Sequence, residues 1–163
     1  MGVGKSTIGK RLARRLDFAY TDLDERIVTS ENQTIKEIFA ERGELAFREI
    51  ERKTLEQISD SKIVISTGGG APCYFDNMDK MLRSGIVIWL TMKPKMLINR
   101  LMTGKYSRPL LADLSENEML NFIENQLDER EAFYQRAHIH VDVSSMNREK
   151  IDKLIGEIEH YSR

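Results

Sequence analysis

The sequence predicts an α/β protein: a parallel sheet covered by helices on both faces. Three observations predict it. Residues 62–66 (KIVIS) and 86–90 (IVIWL) are short and apolar without alternation, as strands buried on both faces are. Helical periodicity occupies the stretches between the strand-like runs. The chain also opens on a glycine-rich segment that runs directly into an amphipathic helix, Gly2-Val3-Gly4-Lys5-Ser6-Thr7. The expectation is one domain over 1–163, with a helical insert at about 25–60 and a lid at about 103–114.

Each element has its own signal. Residues 5–16 set Ile8, Leu12, Ala13 and Leu16 at helical spacing, with basic residues between them. Residues 18–21 read as a short strand ending in Asp22-Leu23-Asp24, its two carboxylates projecting the same way. A helical block follows: 34–41 carries Ile35, Ile38 and Phe39, and 44–58 carries Leu45, Phe47, Ile50, Leu55 and Ile58, with Gly43 between the two pieces. The strand at 62–66 leads into Thr67-Gly68-Gly69-Gly70, then a helix over 75–84 and the strand at 86–90. Pro94 fits the first turn of a helix over 95–102. Residues 103–114 lack periodicity but hold Gly104, Lys105, Arg108 and Pro109, the composition of a loop that closes over a site. A long amphipathic helix over 119–134, a strand over 139–143 and a helix over 148–161 complete the chain.

Composition narrows the function. A net charge of −1 and a pI near 6.3 leave no global basic field for nucleic acid or a membrane surface, so an anionic ligand needs a local cationic cluster. No apolar run reaches membrane-spanning length, and the glycine-rich start is not a signal peptide. The lone Cys73 fits a reducing compartment and reads as a small core side chain. The expectation is a cytoplasmic monomer with no nucleic-acid or membrane partner. His138 and His140 alternate on a strand with no third ligand nearby and read as structural.

The opening segment carries the chemistry. Glycines let backbone N–H groups crowd around a phosphate, and the helix N-terminus adds its dipole. Lys5 reaches the β- and γ-phosphates, and the Ser6 hydroxyl is the usual Mg²⁺ ligand of such a loop. The full pattern G-x-x-x-x-G-K-[ST] places Gly4 at its sixth position. Its first glycine and the strand that feeds it would precede Met1. Met1 is therefore expected to be an internal methionine of a longer loop.

The ordered set MGVGKST, DLD, FREIE, STGGG, SRPLL and DEREAFY resembles the shikimate kinase family from end to end, except for that first strand. The resemblance implies a P-loop kinase fold: a parallel sheet of order 2-3-1-4-5, strand 1 missing here, flanked by helices, with a lid. It implies transfer of the ATP γ-phosphate to the 3-hydroxyl of shikimate, with Mg²⁺. ATP would be bound by Gly2, Val3, Gly4, Lys5, Ser6, Thr7, Arg100 and Arg108, and the metal by Ser6 and Asp22, the latter through water. Shikimate would be bound by Asp24, Arg48, Gly68, Gly69, Gly70 and Arg130, with Lys5, Asp24 and Arg108 catalytic. Phe39 and Phe47 would wall the pocket, and Glu51 would orient Arg48 from i+3.

Each position also has an ordinary reading. Asp24 precedes a helix and could only cap it. Arg48 could be a solvated surface arginine, Arg100 an exposed helix residue, and Phe39 and Phe47 core. The three glycines could make a tight turn. Arg130 falls within the stripe of Met119, Ile123, Leu127 and Tyr134, so it needs either a carboxylate partner or a bound anion. Two other readings remain open at the level of sequence. One is a related kinase for gluconate or a nucleoside monophosphate. The other is a nucleotide-binding module made inactive by its shortened loop.

Overall fold

The computed structural model describes residues 2–103 and 115–161. Met1 and most of the expected lid, including Gly104, Lys105, Arg108 and Pro109, lie outside the described residues. The described residues pack as two compact units, residues 3–83 in one and residue 2 with the residues from 84 on in the other.

The first unit begins with α1 (Lys5–Leu16), whose apolar face buries Ile8, Leu12 and Ala13. Helix α1 lies on the parallel pair β1 (Ala19–Asp22) and β2 (Ile63–Ser66), registered Ala19 to Ile63 through Asp22 to Ser66. Gly9 makes that approach possible. A Cβ there would stand 2.8 Å from both Ser66 Oγ and a Tyr20 ring carbon. Helix α2 (Leu23–Glu31) follows β1 without a loop, and its N-cap is Asp22, whose Oδ1 accepts from the Asp24 N–H at 3.1 Å. This corrects two expectations. Asp24 is not a strand residue projecting beside Asp22; it sits in the first turn of α2. The capping aspartate is Asp22. The short Asx cap starts the helix earlier than the apolar periodicity alone indicates.

Helix α3 (Ile35–Glu56) opens with a capping box between Thr34 and Glu37 and breaks at Gly43, where φ is 78° and ψ is 175°. The break at Gly43 is where the sequence placed it. Leu23, Ile27, Ile38, Phe47 and Ala71 form the buried core between these helices, with Ile35, Ile50 and Leu55 against it. A 3₁₀ turn (Ala71–Cys73) and α4 (Asn77–Ser84) follow β2; buried Asn77 donates through Nδ2 to the Ala71 carbonyl at 2.8 Å.

The second unit holds β3 (Ile88–Thr91) and β4 (Ile139–Asp142), also parallel, registered Ile88 to Ile139. Around them run α5 (Pro94–Thr103), α6 (Glu116–Tyr134) and α7 (Arg148–Tyr161), burying Leu97, Ile98, Met119, Ile123, Ile151, Leu154 and Ile158. His138 Nδ1 accepts the Val87 N–H at 3.0 Å, and His140 meets the Trp89 ring edge-on.

The α/β class and the parallel strands are those expected. Order 2-3-1-4-5 without its first strand reduces to two pairs, and two pairs are observed: β1 with β2 and β3 with β4. Among the described residues no further strand joins either pair.

Candidate active site

The loop before α1 has the backbone an anion site needs. Gly2 and Gly4 both have positive φ, 70° and 100°, and Gly4 is the N-cap of α1. No side chain caps this helix, and its first turn holds no acid. A helix start of this kind turns the positive end of its dipole toward an anion such as phosphate. Lys5 is the first helical residue, and Ser6 and Thr7 are exposed beside it. The adjoining surface hollow is lined by Thr7, Lys10, Arg11 and Arg14, a local cationic cluster on a chain of near-zero net charge.

Ser6 and Asp22, expected to share a metal, do come together. Ser6 Oγ donates to Asp22 Oδ2 at 2.8 Å, and Tyr20 Oη donates to the same oxygen at 3.4 Å. Both candidate ligands are hard oxygens, and one hydroxyl with one carboxylate suits Mg²⁺, which keeps waters and phosphate oxygens for its remaining positions. The residues present therefore fit the metal. Position and capping together explain the Asp22 geometry: one carboxylate oxygen starts α2 and the other faces Ser6.

Past the ends of β1 and β2 lies a buried ionic cluster. Arg48, on α3, is buried, and Glu51 one turn on is 1% exposed. Arg48 Nη1 donates to Glu51 Oε2 at 2.9 Å. Arg48 Nε and Nη2 donate to Glu44 Oε1 at 3.3 and 3.0 Å, and Tyr74 Oη donates to that same oxygen at 2.8 Å. The guanidinium also lies over the Tyr74 ring at 4.2 Å and over Phe47 at 5.1 Å. Burial pulls the Arg48 pKa down, but the carboxylates of Glu51 and Glu44 outweigh it and raise the value above ordinary. The hydrogen bond to Glu44, followed by burial, pushes the Tyr74 hydroxyl up. Arg48 is thus no solvated surface arginine. Phe47 is core, and half-exposed Phe39 stacks on it with ring centres 4.6 Å apart.

Gly68 and Gly70 explain how the cluster fits. None of Gly68, Gly69 and Gly70 has positive φ, so backbone freedom is not what requires them. For Gly68 and Gly70, space is. A Cβ on Gly68 would stand 2.9 Å from Glu51 Oε1 and 3.4 Å from Asp24 Oδ1; one on Gly70 would stand 2.7 Å from both Arg48 Nη atoms. The glycine turn therefore brings Asp24, Glu51 and Arg48 to one place. Gly68 and Gly70 also carry the turn itself, their carbonyls accepting from the Ala71 and Cys73 N–H groups.

Two other expected residues lie on the second unit. Arg100 is exposed in the last turn of α5. Arg130 is half-buried on α6 and donates through Nη2 to Gln126 Oε1. Its partner is thus a neutral amide one turn back. Among the described residues it makes no ion pair with a carboxylate. Arg108 lies outside the described residues. Sequence reasoning missed Glu44 and Tyr74. The i−4 spacing of Glu44 from Arg48 was a readable signal; Tyr74 is thirty residues from Glu44 and carried none.

A glycine-rich anion loop on an α-helix, a hydroxyl–carboxylate pair beside it and a parallel α/β frame define a P-loop phosphotransferase. Comparison with known proteins narrows this. The family model described as shikimate kinase matches residues 1–159. A shikimate kinase of Bacteroides fragilis is 45% identical over 139 residues, covering 85% of this chain and 78% of the relative. One from Persephonella marina is 36% identical over 160 residues, covering 97% and 94%. The crystal structure of the Bacteroides thetaiotaomicron shikimate kinase superposes with a TM-score of 0.88 at 38% identity, covering 99% of this chain and 93% of that one. The solved structure of the Acinetobacter baumannii shikimate kinase in complex with shikimate gives a TM-score of 0.80 at 31% identity, covering 99% of this chain and 87% of that one. The chain belongs to the shikimate kinase family.

Proposed function

We propose that the protein transfers the γ-phosphate of ATP to the 3-hydroxyl of shikimate, giving shikimate 3-phosphate and ADP on the route to chorismate and the aromatic amino acids. The observation that carries this reading is the buried Arg48–Glu51 pair, standing with Asp24 at the glycine turn beyond the strand ends. A guanidinium held by a buried carboxylate is pre-aimed at a second, planar anion, and Asp24 accepts a hydroxyl of the same ligand.

In this mechanism Gly2, Val3, Gly4, Ser6 and Thr7 hold the phosphates through backbone N–H groups, and Lys5 stabilises charge on the migrating phosphoryl group. Ser6 and, through water, Asp22 would hold Mg²⁺, which would supply charge neutralisation at the phosphates. Arg48 and Arg130 grip the shikimate carboxylate, and the N–H groups of Gly68, Gly69 and Gly70 meet its hydroxyls. Asp24 orients the 3-hydroxyl and accepts its proton. The transition state is loose, so positioning contributes more than base strength. Arg100 lies under the adenine, and Arg108, on a lid at about 103–114, closes on the phosphates and excludes water. The protein acts as a single-domain cytoplasmic monomer. No helix among the described residues is long and apolar enough to cross a membrane.

The test is ADP release from Mg·ATP with shikimate, gluconate or a nucleoside monophosphate as acceptor. Release that needs both shikimate and Mg²⁺ is expected. Release with another acceptor alone, or none from a folded, ATP-binding protein, discards the assignment.

A further inference from the structure

Arg48 already carries a carboxylate that the chain itself supplies. Of its two acidic partners, Glu51 is locked in: its side chain is 1% exposed and accepts from Nη1. Glu44 is different. Its side chain is 53% exposed, yet one of its oxygens collects Nε and Nη2 of Arg48 together with the Tyr74 hydroxyl. The Nε–Nη2 side is one of the two edges on which a guanidinium receives a carboxylate with paired donors. The other edge is crowded, because Gly70 approaches both Nη atoms so closely that even a methyl group would not fit.

We propose that Glu44 is an internal competitor for the substrate carboxylate. In the free protein it sits on the Nε–Nη2 edge of Arg48; an incoming carboxylate displaces it and inherits its three donors, which makes Tyr74 a ligand of the bound substrate. This rests on the reading of Arg48 as the carboxylate ligand. Displacement is cheap for physical reasons. A half-exposed carboxylate regains water when it leaves, so it gives up little. Glu44 follows Gly43, where the helix is already broken, and its neighbour Leu45 is largely exposed, so its release disturbs no core packing. Glu51 could not leave on such terms, because its charge would be stranded in the interior. Charge also sets specificity. Only a ligand bearing its own negative charge can replace Glu44 on Arg48, so a neutral polyol is refused by a site that is already satisfied.

Calorimetric titration of the full chain with shikimate and with its uncharged methyl ester tests this, using Glu44→Gln, Tyr74→Phe and Arg48→Lys, each checked for folding by circular dichroism. Removing the competing charge in Glu44→Gln should tighten shikimate by roughly 3- to 10-fold, as the fraction of sites open to it rises. The ester should change by less than about twofold, which separates competition from a structural role. Tyr74→Phe should weaken shikimate severalfold. If Glu44→Gln binds shikimate unchanged or more weakly while Arg48→Lys loses it, the proposal is overturned, Glu44 only supports Arg48, and the Arg48 reading stands. If Arg48→Lys and a second variant, Arg48→Met, both bind shikimate as the unmodified chain does, the Arg48 reading falls and the proposal with it.

Discussion

Replacing Gly70 with alanine tests the claim that the glycine turn exists to make room for a charged side chain. The backbone at Gly70 has φ −79° and ψ −23°, which alanine adopts without strain, so any effect comes from the added methyl group. That Cβ would stand 2.7 Å from Arg48 Nη1 and Nη2, and ordinary contact begins at 3.4 Å, so about 0.7 Å of movement is needed. An arginine tip usually gives way easily. This one is held by Glu51 and Glu44 and lies against the Tyr74 and Phe47 rings. A shift of that size takes the 2.9 Å contact with Glu51 to the edge of hydrogen-bonding range. Losing a charged hydrogen bond costs about 1.5–3 kcal/mol, and overpacking a filled site costs about 1–3 kcal/mol. Because the two describe one displacement, they do not add, and the expected loss is about 2 kcal/mol. The same displacement applied to shikimate binding corresponds to roughly thirtyfold in affinity. Urea unfolding and the shikimate KM measure the two effects. Gly156→Ala is the control. It lies exposed in α7 with nothing within 4 Å of the new methyl, and should be stabilising by about 0.5–1 kcal/mol. A Gly70→Ala protein with unchanged unfolding midpoint and unchanged shikimate KM would refute the reasoning.

The remaining expectations concern the loop, the second arginine and an ionic strap. Lys5→Ala should lose turnover by roughly three orders of magnitude or more, read in the ADP-release assay, with the fold intact by circular dichroism. Arg130→Ala should lose shikimate-dependent turnover and keep ATP binding measured by nucleotide titration; full activity would remove it from the site. Lys80 bridges Glu56 and Asp76 while Arg52 joins both acids, tying α3 to the start of α4. Hydrogen bonds from Lys80 and then Arg52 hold the Glu56 carboxyl below its ordinary value of 4.5. A carboxyl depressed in the folded state stabilises it above the unfolded value and loses that contribution as pH falls through the folded value. Stability should therefore drop below about pH 4.5, and Lys80→Met should flatten that part of the pH profile of the urea midpoint.

Local order was largely readable from the sequence. The two apolar strands, the break at Gly43, and α1 and α7 follow from the local pattern, because side chains three to four residues apart share a helix face whatever the rest of the chain does, although the strands expected to be buried on both faces are only half-buried. The phosphate loop was readable for the same reason, since a helix start and its glycines are contiguous. Asp22 was found at the strand end where it lies, but Asp24 was misplaced: an Asx cap is a local contest between strand and helix, and the cap at Asp22 won it. The glycine turn was recognised with its cause left open.

What tertiary structure alone decided is who meets whom. Arg48 reads as an ordinary surface arginine until β2 delivers Gly70 beneath it and the following turn delivers Tyr74 over it. Arg130 sits on an inward stripe, yet its neighbour is the amide of Gln126 and not a glutamate. Burial, charge compensation and the space for a guanidinium depend on residues far apart in the chain, and no local pattern encodes those distances. Sequence order therefore determined the class of chemistry and named the residues proposed to perform it. Packing determined that Glu44 and Tyr74 meet at the Arg48 guanidinium.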